Sequence, residues 1–168
     1  MDELFQTAPE APELIKADVT GVIPKWVNGT LLRNAPAKYE FDKHAFKHWF
    51  DGLALLHAFF IDKGEVTYKS KYLRTQAFVK GEEQKRIVYT EFGTAKTPDP
   101  CQNIFSRFFS YFTPPERTDN SSVNIFEMKG KLFANSDSPF LAEVDPSSLD
   151  LLGVVDIKTD LKSKYIII

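Results

Sequence analysis

Apolar and polar residues alternate in short runs along most of the chain, and the runs are broken by Gly, Asn, Asp and Pro. That is the pattern of brief strands joined by tight turns. Residues 1–20 are polar and carry prolines, which predicts a loose lead-in. Asn28-Gly29 is a turn pair before a strand over Thr30 to Arg33, and Ala35-Pro36-Ala37 reads as a loop. Leu53 to Ile61 is almost continuously apolar, consistent with a strand buried on both faces or a short buried helix. Asp62-Lys63-Gly64 then closes a hairpin onto the alternating run Glu65 to Leu73, which decides for strand. A further strand is expected over Arg86 to Phe92. Two hairpins follow, Ser122–Phe126 with Lys131–Asn135 and Phe140–Val144 with Leu151–Val155. Strands spaced every ~10–12 residues predict an all-β sandwich, barrel or propeller.

One stretch breaks the period of two. Asp99 suits a helix N-cap, Pro100 the first helical position, and Thr113-Pro114-Pro115 a stop. Between them Ile104, Phe105, Phe108, Phe109, Tyr111 and Phe112 share one arc of roughly 160°, with Cys101 on the same side. Gln102, Asn103, Ser106, Arg107 and Ser110 fill the opposite arc. This apolar face has two readings: it caps a hydrophobic core, or it lies on a membrane surface with Arg107 at the headgroups.

Composition narrows the function. The 168 residues predict one domain, and 43% hydrophobic content is enough for a core. A net charge of −2 argues against nucleic acid as a partner. The lone Cys101 excludes an internal disulfide and suits a reducing compartment. No secretory signal or membrane-spanning run is evident, so a cytoplasmic protein bound peripherally to membrane through 99–112 is expected. His44 and His48 have i, i+4 spacing, but they sit among loop and strand signals, which favours packing roles for them and for His57. Glu40, Asp42 and Asp51 show no acid–base spacing. Phosphate-loop, nucleophile-elbow and paired-cysteine motifs are all lacking.

The run His48-Trp49-Phe50-Asp51-Gly52-Leu53-Ala54-Leu55-Leu56-His57 resembles the signature of the carotenoid cleavage oxygenases, most closely the animal branch of carotene dioxygenases and retinoid isomerohydrolases. The likeness extends through Leu31-Leu32-Arg33-Asn34, Glu91-Phe92-Gly93-Thr94, Pro98-Asp99-Pro100-Cys101, the helix, Thr118-Asp119-Asn120 and Val144 to Leu149. It implies the first blades of a seven-bladed β-propeller over residues 21–157, with a divergent tail at 158–168. It implies a carotenoid or retinoid substrate entering from the membrane past Cys101, Ile104, Phe105, Phe108, Phe109, Tyr111 and Phe112. It also implies Fe(II), held by four histidines in the complete enzyme, which cleaves a polyene double bond with O2 to two carbonyl products. In the isomerohydrolase variant the metal would polarise a retinyl ester instead.

Three departures qualify that implication. The resemblance covers the family's N-terminal third, and none of His44, His48 or His57 matches an iron ligand. No cofactor or catalytic residue is therefore expected in this chain, and its activity alone is expected to be absent. The family's Gly-Pro-Gly is Ala35-Pro36-Ala37, where alanine would cost about 1 kcal/mol at each position needing a positive φ. The family's Thr-Glu-Thr-Asn aligns with Ser136-Asp137-Ser138-Pro139, leaving Asp137 as the carboxylate that would orient an iron histidine. Alternatives are a non-enzymatic, membrane-associated carotenoid- or retinoid-binding short isoform, or a truncated reading of a longer gene.

Overall fold

A computed structural model describes residues 5–99 and 116–160. The predicted helix at 99–112, its N-cap Asp99 apart, lies outside the described residues, and with it its apolar residues, Cys101 through Phe112. The described residues form two four-stranded antiparallel sheets and a short ribbon. The first comprises β1 (Ala11–Lys16), β2 (Gly29–Lys38), β5 (Leu53–Asp62) and β6 (Glu65–Tyr72), in the spatial order β1-β6-β5-β2. The second is a meander of β7 (Asn124–Met128), β8 (Lys131–Asn135), β9 (Phe140–Val144) and β10 (Leu151–Asp156). A two-stranded ribbon, β3 (Glu40–Phe41) with β4 (His44–Ala45), projects from the first sheet's end. Four-stranded antiparallel units of this kind are propeller blades, as the strand spacing and the resemblance predict.

The apolar run of β5 is explained by two cores. Leu53 and Leu55 point into one, with Tyr39, Phe41, Phe46, Tyr72, Phe78, Ile87 and Tyr89. Ala54, Leu56 and Ala58 point the other way, against Ala134, Ala142 and Val144 of the second sheet and Leu149 of the connection between β9 and β10. A strand has period two, so continuous hydrophobicity means burial on both faces. The alanines facing one another across the second core leave room for the two sheets to approach.

Four expectations change. The stretch read as a loose lead-in contains β1, which pairs with β6 from Ala11↔Ser70 to Lys16↔Thr67, and Phe5 packs on the first core. The turn expected at Asn28-Gly29 falls earlier, at Pro24, whose carbonyl accepts from Val27 N at 2.9 Å, and Gly29 opens β2, which contains the strand expected over Thr30 to Arg33. Ala35-Pro36-Ala37 belongs to β2, paired with β5 up to an irregularity between Pro36 and Lys38. Neither alanine has a positive φ, so the predicted strain is not there.

The fourth change concerns residues 76–92. Gln76–Gln84 forms a helix, α1, which the alternating pattern does not announce. Its interior Gly81 is a poor helix former, but the Phe41 ring lies where a side chain would be, with Cζ 2.2 Å from the position of a Cβ. Arg86 to Phe92 is not a strand. Ile87 and Tyr89 are buried, as alternation requires, but the backbone joins no sheet. The tail begins with a single helical turn, α2 (Ile157–Asp160).

Candidate functional site

The polar segment Thr118-Asp119-Asn120-Ser121-Ser122 ties the parts together. The last four of these residues are buried, and a buried polar group must find partners. Asp119 accepts from Gln76 N at 2.7 Å and from Ala77 N at 2.9 Å. It thus caps α1 from 42 and 43 residues away, because Thr75 at the N-cap position makes no side-chain bond. Asn120 donates to Gly52 O at 3.1 Å, and its own carbonyl accepts from Ser136 Oγ at 2.7 Å. Ser121 O accepts from Asn34 Nδ2 at 2.6 Å, which joins β2 to the second sheet.

A second buried node lies beside it. His48 Nδ1 accepts from Phe50 N at 3.1 Å and starts a short 3-10 turn over Trp49–Asp51. The turn drives Asp51 inside, where it is fully buried and accepts from Gly93 N at 2.8 Å and from the Thr94 hydroxyl. Gly93 passes so close that a Cβ there would stand 2.5 Å from His48 Cβ. The rings of His48, Phe50 and Phe92 meet on the outside, with centroids 4.9–5.9 Å apart. Phe50 and Phe92 nevertheless stay 59% and 70% exposed.

These two nodes wall a cavity of about 730 Å³, within the range of small-molecule sites. Phe50, Phe92, Val123 and Pro139 give it an apolar lining, and Thr90, Glu91, Glu116, Arg117, Asn120, Asp137 and Ser138 supply polar groups. Glu91 is the unusual member. Burial pushes its carboxyl up to about 8, and the charges of Asp51, Asp119 and Asp137 push the same way. The Thr118 hydroxyl, 2.6 Å from Oε1, opposes this only in part.

Asp137 is exposed on the cavity wall, and its field reaches Glu91. The three histidines are apart in role. His44 lies in β4, His48 starts the 3-10 turn, and His57 sits on the sheet with Nδ1 2.7 Å from the Tyr68 hydroxyl. Burial and the Arg33 charge both hold His57 below the usual histidine range. Among the described residues no three His, Cys, Asp or Glu side chains gather to hold a metal ion, so these residues do not fit an iron site. Sequence reasoning missed Glu91 as a site residue. Its signal was a lone carboxylate inside the run Ile87 to Phe92; its partner Thr118 lies 27 residues further on and is brought to it only by the fold.

Comparison with known proteins agrees with the geometry. The chain is 45% identical over 169 residues to the chicken (Gallus gallus) β,β-carotene 15,15'-dioxygenase, covering 99% of this chain and 31% of that protein. It is also 45% identical over 153 residues to the mitochondrial carotenoid-cleaving dioxygenase of Mustela putorius furo, covering 91% and 28%. Among solved structures, an ACO/RPE65 chimera superposes with a TM-score of 0.76 at 28% identity, covering 94% of this chain and 32% of the chimera. The cobalt-substituted Synechocystis ACO gives 0.74 at 27% identity, with the same coverage. The chain therefore spans just under a third of the length of these relatives. The family profile described as retinal pigment epithelial membrane protein matches residues 4–167, and the chain belongs to that family of carotenoid oxygenases.

Proposed function

We propose that this chain contributes two blades and one wall of the substrate cavity to a carotenoid-cleaving dioxygenase. The observation that carries the reading is the 45% identity, along nearly the whole chain, to proteins named for cleaving carotenoids. The cavity supports it: exposed Phe50 and Phe92 offer aromatic faces to a flat polyene, and Val123 and Pro139 extend the apolar lining. The chain's own task is to bind and orient the polyene and to keep water from it. The complete enzyme would use Fe(II) to bring O2 to the double bond. The described residues do not form its ligand set, and Asp137 would serve by orienting a histidine supplied from elsewhere.

Two measurements test this. Sizing the native protein and assaying it with β-carotene should reveal a product several times heavier that forms apocarotenals. Residues 1–168 alone, loaded with Fe(II), should hold no stoichiometric iron and form no product. Tight iron with apocarotenal from residues 1–168 would overturn the assignment of a partial site. A native protein no larger than this chain that binds β-carotene without cleaving it would favour a non-enzymatic polyene binder, a reading to which the same aromatic wall lends support.

The reading includes peripheral membrane attachment of a cytoplasmic protein through the amphipathic stretch 99–112. The support is the sequence pattern, with its phenylalanines on one side and Arg107 on the other.

A further inference from the structure

The hydrogen bonds around Glu91 run in one direction. Asn120 N–H donates to Thr118 Oγ1 at 3.1 Å. The Thr118 hydroxyl, having accepted there, turns its own proton to Glu91 Oε1 at 2.6 Å. Oε1 is thereby an acceptor, and a proton carried by the carboxyl belongs on Oε2. Among the described residues Oε2 has no hydrogen-bond partner, and Glu91 lines the cavity beside Phe50, Phe92 and Val123. The groups facing it come from three directions: Asp51 from the 3-10 turn, Asp119 from the capping segment and Asp137 from the loop after β8. Glu116 and Arg117 complete the charged lining, and the His48 ring lies tilted against Phe92, with centroids 4.9 Å apart. Buried among carboxylates, Glu91 stays protonated up to about pH 8.

We propose that Glu91 Oε2–H donates a hydrogen bond to the carbonyl oxygen of an oxygenated polyene, an ester, aldehyde or ketone, and so sets which end of the ligand lies in this cavity. A neutral acid is a strong donor that an apolar wall can tolerate, and it leaves a plain hydrocarbon without a partner. The cavity would therefore prefer polyenes that already carry a carbonyl, with the oxygen at Glu91 and the chain along Phe50 and Phe92. This inference rests on the reading of the cavity as a polyene site and adds a specificity-determining residue to it.

The test uses the native protein in its full chain and compares retinyl acetate with the same polyene lacking oxygen, by quenching of tryptophan fluorescence. Retinyl acetate should bind about five- to tenfold more tightly than the hydrocarbon near pH 6, and the advantage should vanish above about pH 9. Glu91→Gln keeps a donor that does not titrate, so it should keep the preference at both pH values. Glu91→Leu should lose the preference at both while still binding the hydrocarbon. The ester C=O stretch should move to lower frequency in the wild-type and Gln proteins only. If Glu91→Leu does not fold, the wild-type pH profile and its absence in Glu91→Gln carry the test. A preference that ignores pH, or a Gln variant that titrates like the wild type, would overturn the inference and leave the polyene reading intact. Failure to bind either polyene would overturn both.

Discussion

Asp119 and Glu91 show how much depends on single carboxyls. Asp119 satisfies two of the amides that α1 cannot pair internally, and Asp119→Ala should lower stability by about 2 kcal/mol in urea denaturation. Asp119→Asn keeps one acceptor and should cost roughly half as much. Glu91 makes a pH prediction whose sign is fixed. Its carboxyl titrates near 8 when folded against an ordinary 4.5, so the folded state holds the proton more tightly than the unfolded one. Its contribution is fully present below about pH 4.5, declines as pH rises through that window, and is lost above about 8. Denaturation midpoints between pH 5 and 8 should fall for the native protein and flatten for Glu91→Gln. The role of Asp119 was not readable along the chain, and of Glu91 only the lone carboxylate among apolar residues was, not what perturbs it. Asp119 reaches α1 across more than forty residues, and Glu91 is perturbed by carboxylates from three separate segments.

The elements were more legible, because hydrophobic period is local. β5, β6 and the two hairpins of the second sheet lie where alternation and turn residues put them. The sequence reading failed where a neighbour decides. Ile87 and Tyr89 alternate like a strand, but their segment joins no sheet, and they fill the first core from a loop whose Ile87 carbonyl accepts from Thr97 N. β1 was unreadable for the opposite reason. It is mostly exposed, and only the free edge of β6 makes it a strand. Removing residues 1–16 should therefore uncover the β6 edge and the ring contacts of Phe5 with Tyr39 and Trp49. Light scattering at fixed concentration should rise, since an unpaired edge templates strand addition. Unchanged scattering would mean that β1 shields nothing.

At the scale of the molecule, two blades share one core and leave other faces open. Leu31 on the first sheet and Leu152 and Val154 on β10 remain exposed, which suits surfaces that further blades would cover. If the proposed larger enzyme is the native form, residues 1–168 by themselves should associate at concentrations where the native protein does not, as analytical ultracentrifugation would show. The membrane attachment proposed above belongs to this scale as well. Phe108→Asp with Phe109→Asp should reduce co-sedimentation of the native protein with liposomes severalfold, because burial of two phenylalanines contributes about 3–6 kcal/mol. Sedimentation that does not change would remove the stretch 99–112 as the anchor.

The sequence by itself determined the strand class, the two-sided burial of β5, the turn positions of the second blade and the family likeness, since each is written in neighbouring residues. Only the tertiary structure decided the cap on α1, the pairing of β1, the relaxed backbone at Ala35-Pro36-Ala37 and the raised acid at Glu91. Those depend on partners distant along the chain, and a hydrogen bond or a field from such a partner leaves no local period to read.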